Sequence, residues 1–344
     1  MIFMQLSKVF LSLLFIFIAA SSAAQPLQAT FSDWELSCDN AGDCQGRNID
    51  RGAGLVVSFF RPSGQGSIRW LHIDYHPKTP EREKEQQVLA QRLLIDHTAW
   101  PYTHVRSAPE TLQTEHPETA QQLLTVLSRA VRLSVTDNPS RGLSLTSLPD
   151  FLSKAAQIQA RISRETTPRL PTPQTLVVTP PYRVPAPLSD SEISYFMNFG
   201  ISQISQQTCP LAPVYRQIKV APLTDHQVLL LVSCETAAYN TFYQAYLVSR
   251  QAPVFARRLM FRLPFSPLWP TGADFELTNV GYDPQTGILT TALWGRPLAD
   301  CGTVSRWQFN GQRFVLTRFA SESVCDRWNF SRSWPVLWTT DPAG

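Results

Sequence analysis

The run HIDYH, residues 72–76, places two imidazoles and a carboxylate at alternate positions. In an extended strand such residues project to one side. His72, Asp74 and His76 are therefore the set most able to hold zinc or iron. Leu71, Ile73 and Tyr75 form an apolar row on the other side, which reads as an ordinary half-buried strand whose polar row faces solvent. No metal ligand set is assigned on that reading. His97 and His104 flank TAWPYT, a loop in which a general base could sit, but neither has a partner at motif spacing. Nucleophile-elbow, metalloprotease, phosphate-loop and dinucleotide signatures are absent, so no catalytic residue and no cofactor is assigned. Paired carboxylates leave no short signature, which keeps a hydrolase as the alternative.

The remaining reactive residues are Cys38, Cys44, Cys209, Cys234, Cys301 and Cys325. How they are read depends on compartment. The chain begins MIFMQLSKVFLSLLFIFIAASSAAQP, with Lys8 ahead of an apolar run from Val9 to about Ala20 and Ser22 and Ala24 at the −3 and −1 positions. Residues 1–24 are expected to be a signal peptide cleaved before Gln25. The run is well short of the ~20 apolar residues that span a bilayer, and no later stretch is apolar enough to do so. The mature chain is expected in the periplasm or secreted, where cysteines form disulfides. No C-x-x-C occurs, so zinc-knuckle and thioredoxin-type readings lack their start. The cysteines fall into three neighbour pairs split by long gaps, and neighbour pairing gives 38–44, 209–234 and 301–325.

Net charge is only +3 and the basic residues are dispersed, which gives nucleic acid no footprint. The mature length suits two domains. The expected class is α+β, with an N-terminal α+β domain over 25–165, a Pro-rich linker over 166–188 and a C-terminal β-rich domain over 189–344. In the first domain, FSDWELSCDNAGDC reads as strand and turn, and GLVVSFFRPSGQGSIRWLHIDYHP as a hairpin around Pro62–Gly66. Thr79 and Pro80 signal a helix start, with Val88, Leu89, Leu93 and Leu94 at helical spacing. PETAQQLLTVLSRAV and SLTSLPDFLSKAAQIQARIS read as further helices, the first passing into the strand AVRLSVTD. Seven prolines between Thr166 and Pro187 suit an extended linker, or a segment packed on a domain surface through Leu176, Val177 and Val178.

In the C-terminal domain, Ser189 and Glu192 form a capping box ahead of an aromatic helix. Thereafter alternating runs predict an antiparallel meander, stapled by disulfides and covered by that helix. Asn310-Gly311 is a strong hairpin signal. A two-residue loop there would set Phe309 opposite Gln312 and Trp307 opposite Phe314. Tyr239 and Asn240 follow a long apolar strand, either as a hydrogen-bonding rim or as turn residues beside a disulfide.

WGRPLADCGTVSRWQFNGQRFVLTRFASESVC, LLVSCETAAYN and LTNVGYDPQTGILTT resemble the C-terminal pattern of an exported bacterial family, domain of unknown function 1176 (DUF1176). Ala237 stands where that family shows a first glycine, Pro297 interrupts its Gly-Arg-Gly run, and Asp326 follows Cys325 where it shows Arg-Gly. FSDWELSCDN and LSLTSLPDFLSKA are similar to the invasion-associated locus B family of periplasmic proteins. Together the resemblances cover most of the mature chain and imply an exported protein without implying a reaction. The expected function is a non-enzymatic envelope protein that binds an envelope protein or surface ligand through its C-terminal domain. Tyr239, Asn240, Arg296 and Asp300, beside the disulfides, are the candidate binding rim. The alternative is a periplasmic hydrolase acting on a glycan or peptide.

Overall fold

A computed structural model describes residues 25–64, 66–76, 87–135, 142–166, 182–205, 207–265, 275–328, 331 and 333–340. The leader, the start of the helix expected at Thr79 and most of the Pro-rich segment lie outside the described residues. The N-terminal part contains strands β1 (Leu27–Phe31), β2 (Trp34–Cys38), β3 (Cys44–Asn48), β4 (Leu55–Arg61) and β5 (Trp70–Tyr75). After these come the one-turn helix α1 (Leu89–Arg92), β6 (Leu93–Ile95), β7 (Thr98–Ala99), β8 (Arg106–Ser107) and β9 (Thr111–Thr114). Helix α2 (Pro117–Arg129), β10 (Arg132–Val135), β11 (Gly142–Ser144) and helix α3 (Leu148–Thr166) close this part.

Seven of these strands form one antiparallel sheet in the order β1-β2-β3-β4-β5-β9-β8. Alternation along the strands puts Trp34, Leu36, Val57, Phe59, Leu71, Ile73 and Leu112 on one face, all buried. Helices α2 and α3 cover that face, as their apolar spacing predicts. Phe151 of α3 stacks on Trp34 at 5.4 Å and meets Phe59 edge-on at 6.1 Å. Gly46 makes the layer this thin, because a Cβ there would strike the Phe59 ring at 2.5 Å. The opposite face is polar and carries the site described below.

One predicted element is corrected. Leu93 and Leu94 belong to strand β6, in the small sheet β11-β10-β6-β7, rather than to a helix. Leu93 pairs with Val135 and Ile95 with Leu133. Asp96 and His97, at φ 47° and 67°, make the two-residue turn that joins β6 to β7. A buried partner strand outweighs the weak helical spacing of a short apolar run.

The C-terminal part begins at helix α4 (Asp190–Ser202), whose Ser189 and Glu192 form the capping box in both directions. Strands β12 (Ile218–Thr224), β13 (Gln227–Thr236), β14 (Thr241–Ser249) and β15 (Ala256–Leu259) form one antiparallel meander, with β16 (Leu277–Thr278) also on β14. A second runs β17 (Gly281–Asp283), β18 (Ile288–Trp294), β19 (Gly302–Phe309), β20 (Phe314–Glu322) and β21 (Val336–Thr339). The two sheets share a core that includes Leu229, Leu231, Tyr243, Trp307, Phe309 and Phe319. The other face of β13 packs Val228, Leu230 and Val232 beneath Phe196 of α4. Residues 182–188, the described end of the Pro-rich segment, lie against this part: the Tyr182 hydroxyl donates to the Pro284 carbonyl at 2.8 Å, and Arg250 donates to the carbonyls of Ala186 and Pro187.

The Asn310-Gly311 hairpin forms with a different register. Phe309 opposes Phe314 and Trp307 opposes Leu316, so the loop is Asn310–Arg313. The Asn310 carboxamide oxygen accepts from the backbone N–H groups of Gln312 and Arg313, which stabilises the wider turn in place of the two-residue one. All three neighbour cysteine pairs stand at disulfide distance, with Cα–Cα separations of 4.1, 4.6 and 4.9 Å.

Candidate functional site

The polar face of the seven-stranded sheet is built by register. Glu35, Arg47, Ser58, His72 and Gln113 lie opposite one another in one row across β2, β3, β4, β5 and β9. Ser37, Gln45, Phe60 and Trp70 form the next row, and Val56, Asp74 and Thr111 a third. The C-terminal part covers the first half of this face and leaves the second half as a cleft.

On the covered half, Arg47 meets three carboxylates. Its Nη2 is 3.0 Å from Glu322, its Nη1 2.8 Å from Asp326, and its Nε 3.4 Å from Glu35. Arg47, Glu35 and Glu322 are 2%, 1% and 0% exposed. Burial, reinforced by the Glu322 charge and opposed by Arg47, raises the Glu35 carboxyl to about 7. The Ser323 hydroxyl donates to Glu35, and the Gln28 amide donates to the Ser321 carbonyl at 3.1 Å.

The next four residues are each anchored. Cys325 joins Cys301, Asp326 meets Arg47, and the Arg327 N–H donates to Asp300 at 2.7 Å. Trp328 donates its indole N–H to Asp50 at 3.2 Å and stacks on His76 with centroids 4.1 Å apart and planes at 7°. This segment thereby carries Trp328 from the C-terminal part onto the N-terminal sheet, where it walls the cleft.

The cleft encloses about 390 Å³, with Gln45, Ser58, Trp70, His72, Asp74, Glu110 and Thr111 opposite Trp328. Phe60, Trp70 and His72 stack in sequence, at 5.8 and 4.4 Å. Burial lowers the His72 imidazole and raises the Asp74 carboxyl, which inclines the first to be neutral and the second to hold its proton. Among the described residues, the side chains of Gln45, Ser58, His72, Asp74 and Thr111 make no hydrogen bond, whereas Gln28, Ser37, Glu35 and Arg47 on the covered half are engaged. The row His72-Asp74-His76 does occupy the sheet face away from the core, as its alternation predicts. It floors a cleft half-sheltered by Trp328, not an open surface. Among the described residues no group of three His, Cys, Asp or Glu side chains could hold a metal ion.

Tyr239, Asn240, Arg296 and Asp300 are brought to one corner at the end of β18. The Asn240 amide donates to the Trp294 carbonyl at 2.9 Å, while its oxygen accepts from the Trp294 N–H and from Asn279. The Tyr239 hydroxyl donates to the Gly295 carbonyl at 3.1 Å. Arg296 makes a two-pronged pair with buried Asp300, which also receives the Arg327 N–H. Their polar groups fasten the corner and the segment leading to Trp328. Asn240→Ala is expected to lower stability by about 1–3 kcal/mol, since it strands buried backbone groups; urea unfolding measures this. Beyond the alternation of His72, Asp74 and His76, the cleft residues Gln45, Ser58, Glu110, Thr111 and Trp328 carry no sequence signal, because register and long-range contacts gather them.

The family model described as protein of unknown function (DUF1176) matches residues 28–341. The uncharacterized protein YpfG of Escherichia coli (strain K12) is 33% identical over 350 residues, covering 97% of this chain and 99% of that protein. No solved structure matches.

Proposed function

The chain belongs to the DUF1176 family, and from that premise we propose that it is an exported, non-enzymatic binding protein of the cell envelope. Its ligand seat is the cleft walled by Trp70, His72, Asp74 and Trp328. The observation that carries this reading is the cleft floor, where five polar side chains with no hydrogen bond among the described residues share a lining with Trp70 and Trp328. Ligand sites combine this sort of apolar wall with a few convergent polar groups, and the cleft volume lies within their usual ~300–1,000 Å³. Three cysteine pairs at disulfide distance, and the absence of any membrane-spanning helix among the described residues, fit an oxidising compartment. The proposal includes the resemblance of FSDWELSCDN and LSLTSLPDFLSKA to the invasion-associated locus B family, which would fit the same compartment. The domain division at the Pro-rich segment is part of the proposal.

Mature protein immobilised beside a Trp70→Ala/His72→Ala variant, both washed with envelope extract, tests the seat. Material held by the first and released by the second is expected. Equal retention, or none by either, overturns the reading. A hydrolase reading has one observation in its favour: Asp74, with its raised pKa, and Glu110 line the same cleft. It requires cleavage products from the wild type that disappear in Asp74→Asn.

A further inference from the structure

Resting on the cleft as the ligand seat, we infer that its ligand is an uncharged, hydroxyl-rich chain, a short stretch of glycan. Charge disfavours an anion first. Among the described residues no Arg or Lys lines the cleft, while Asp74 and Glu110 do, so a phosphate or carboxylate would be desolvated beside carboxylates.

A cation is disfavoured by ring geometry. Recognition of an ammonium needs aromatic faces turned toward it. Trp70 is already stacked with Phe60 and with His72, and Trp328 with His76. Rings so engaged leave less surface to surround a cation.

A polyol fits what is left. Ser58 and Thr111 hydroxyls, the Gln45 amide, a neutral-inclined His72 and the Asp74 carboxyl offer donors and acceptors intermixed, and a sugar hydroxyl both donates and accepts. The groups of β5 run in a line roughly 13 Å long from His72 to His76, at two residues per step. A linear floor suits an extended chain more than a compact metabolite. The second face of Trp328 offers an apolar plane to the C–H face of a sugar ring.

Isothermal titration of the mature protein tests this. The neutral probes are chitotetraose, cellotetraose and maltotetraose with their monosaccharides, the cationic probes are choline and spermidine, and the anionic probe is inositol hexakisphosphate. At least one neutral tetrasaccharide should bind more tightly than its monosaccharide, and Trp328→Ala should weaken it tenfold or more. Ser58→Ala, a change too small to unfold the sheet, should weaken it measurably. Arg313→Ala, on the distant hairpin, should bind as the wild type. Binding confined to charged probes and sensitive to the same cleft variants overturns the glycan inference and leaves the seat standing. So does cleft-dependent retention of envelope material with no response to any neutral probe. Neutral-sugar binding that ignores every cleft variant overturns both.

Discussion

Arg47→Leu should lower the free energy of unfolding by about 3–5 kcal/mol at pH 8, because it removes the cation that Glu35, Glu322 and Asp326 share in a buried joint. The deficit should shrink toward pH 5. The Glu35 carboxyl sits at about 7 in the fold against an ordinary 4.5. Its stabilising contribution is therefore complete below about pH 4.5 and is lost as pH rises through about 7. Arg47 lowers the Glu35 carboxyl, so without it that group holds its proton more tightly still, the window moves upward and the variant is least handicapped where Glu35 is protonated. Urea unfolding of both proteins at pH 5 and pH 8 is the measurement. A gap below 1 kcal/mol, or one that is the same at both values, would contradict the network's role. Adding Glu35→Leu, Glu322→Leu and Asp326→Asn should return much of the loss, since removing every charge of a buried ion cluster is often neutral or stabilising. Because Asp326 lies two residues before Trp328, ligand binding in the cleft should fall along with stability in Arg47→Leu.

Cys301→Ser/Cys325→Ser should cost roughly 3 kcal/mol, the chain-entropy value for a loop of this length. The bridge closes the segment containing β19 and β20 and fixes the first of four residues leading to the cleft wall. The remaining anchors, Asp326 on Arg47 and Trp328 on Asp50 and His76, survive its loss. Ligand binding should therefore persist at temperatures where the variant is folded. The bridge and the arginine differ in this respect: one stiffens the chain, the other also positions the wall. A folded double-serine variant that no longer binds would sink that distinction. Non-reducing peptide mapping that links Cys301 to a residue other than Cys325 would sink the pairing itself.

Much of the architecture was legible because it is local. Cysteines close in sequence pair with each other, Cys38 and Cys44 directly across β2 and β3, Ser189 and Glu192 cap their own helix, and α2 and α3 show clean apolar stripes. Local signals failed where a neighbour decided the outcome. Leu93 and Leu94, helix formers by propensity, are drawn into a strand by their pairing with Val135 and Ser134. Strand β12 carries Pro222 at an irregularity in its pairing with β13, which weakens its strand signal. The Asn-Gly turn was read correctly in place and wrongly in width, since the Asn310 side chain chose the loop. Half of the site was visible as the alternation of His72, Asp74 and His76. The other half was not, because Trp328 and Arg47 become neighbours of that row only through contacts that span most of the chain.

Those spans set an order of events in time. Gln28 reaches Ser321 across 293 positions, Arg47 reaches Glu322 across 275, and Asn40 reaches Thr339 across 299. Each sheet is assembled mainly from strands adjacent in the chain, so both cores can form while the chain is still incomplete. Among the described residues the joint between them holds the hydrogen bonds of highest sequence separation and is expected to close last. At ~5–20 residues per second of synthesis, Arg47 precedes its partners by roughly 15 s to 1 min. Throughout that interval Glu35, across the β2–β3 pair, is the one carboxylate of the network already made beside Arg47, and this face of the sheet stays open to water. The last segment to arrive brings both the two remaining carboxylates and the cover that dries them.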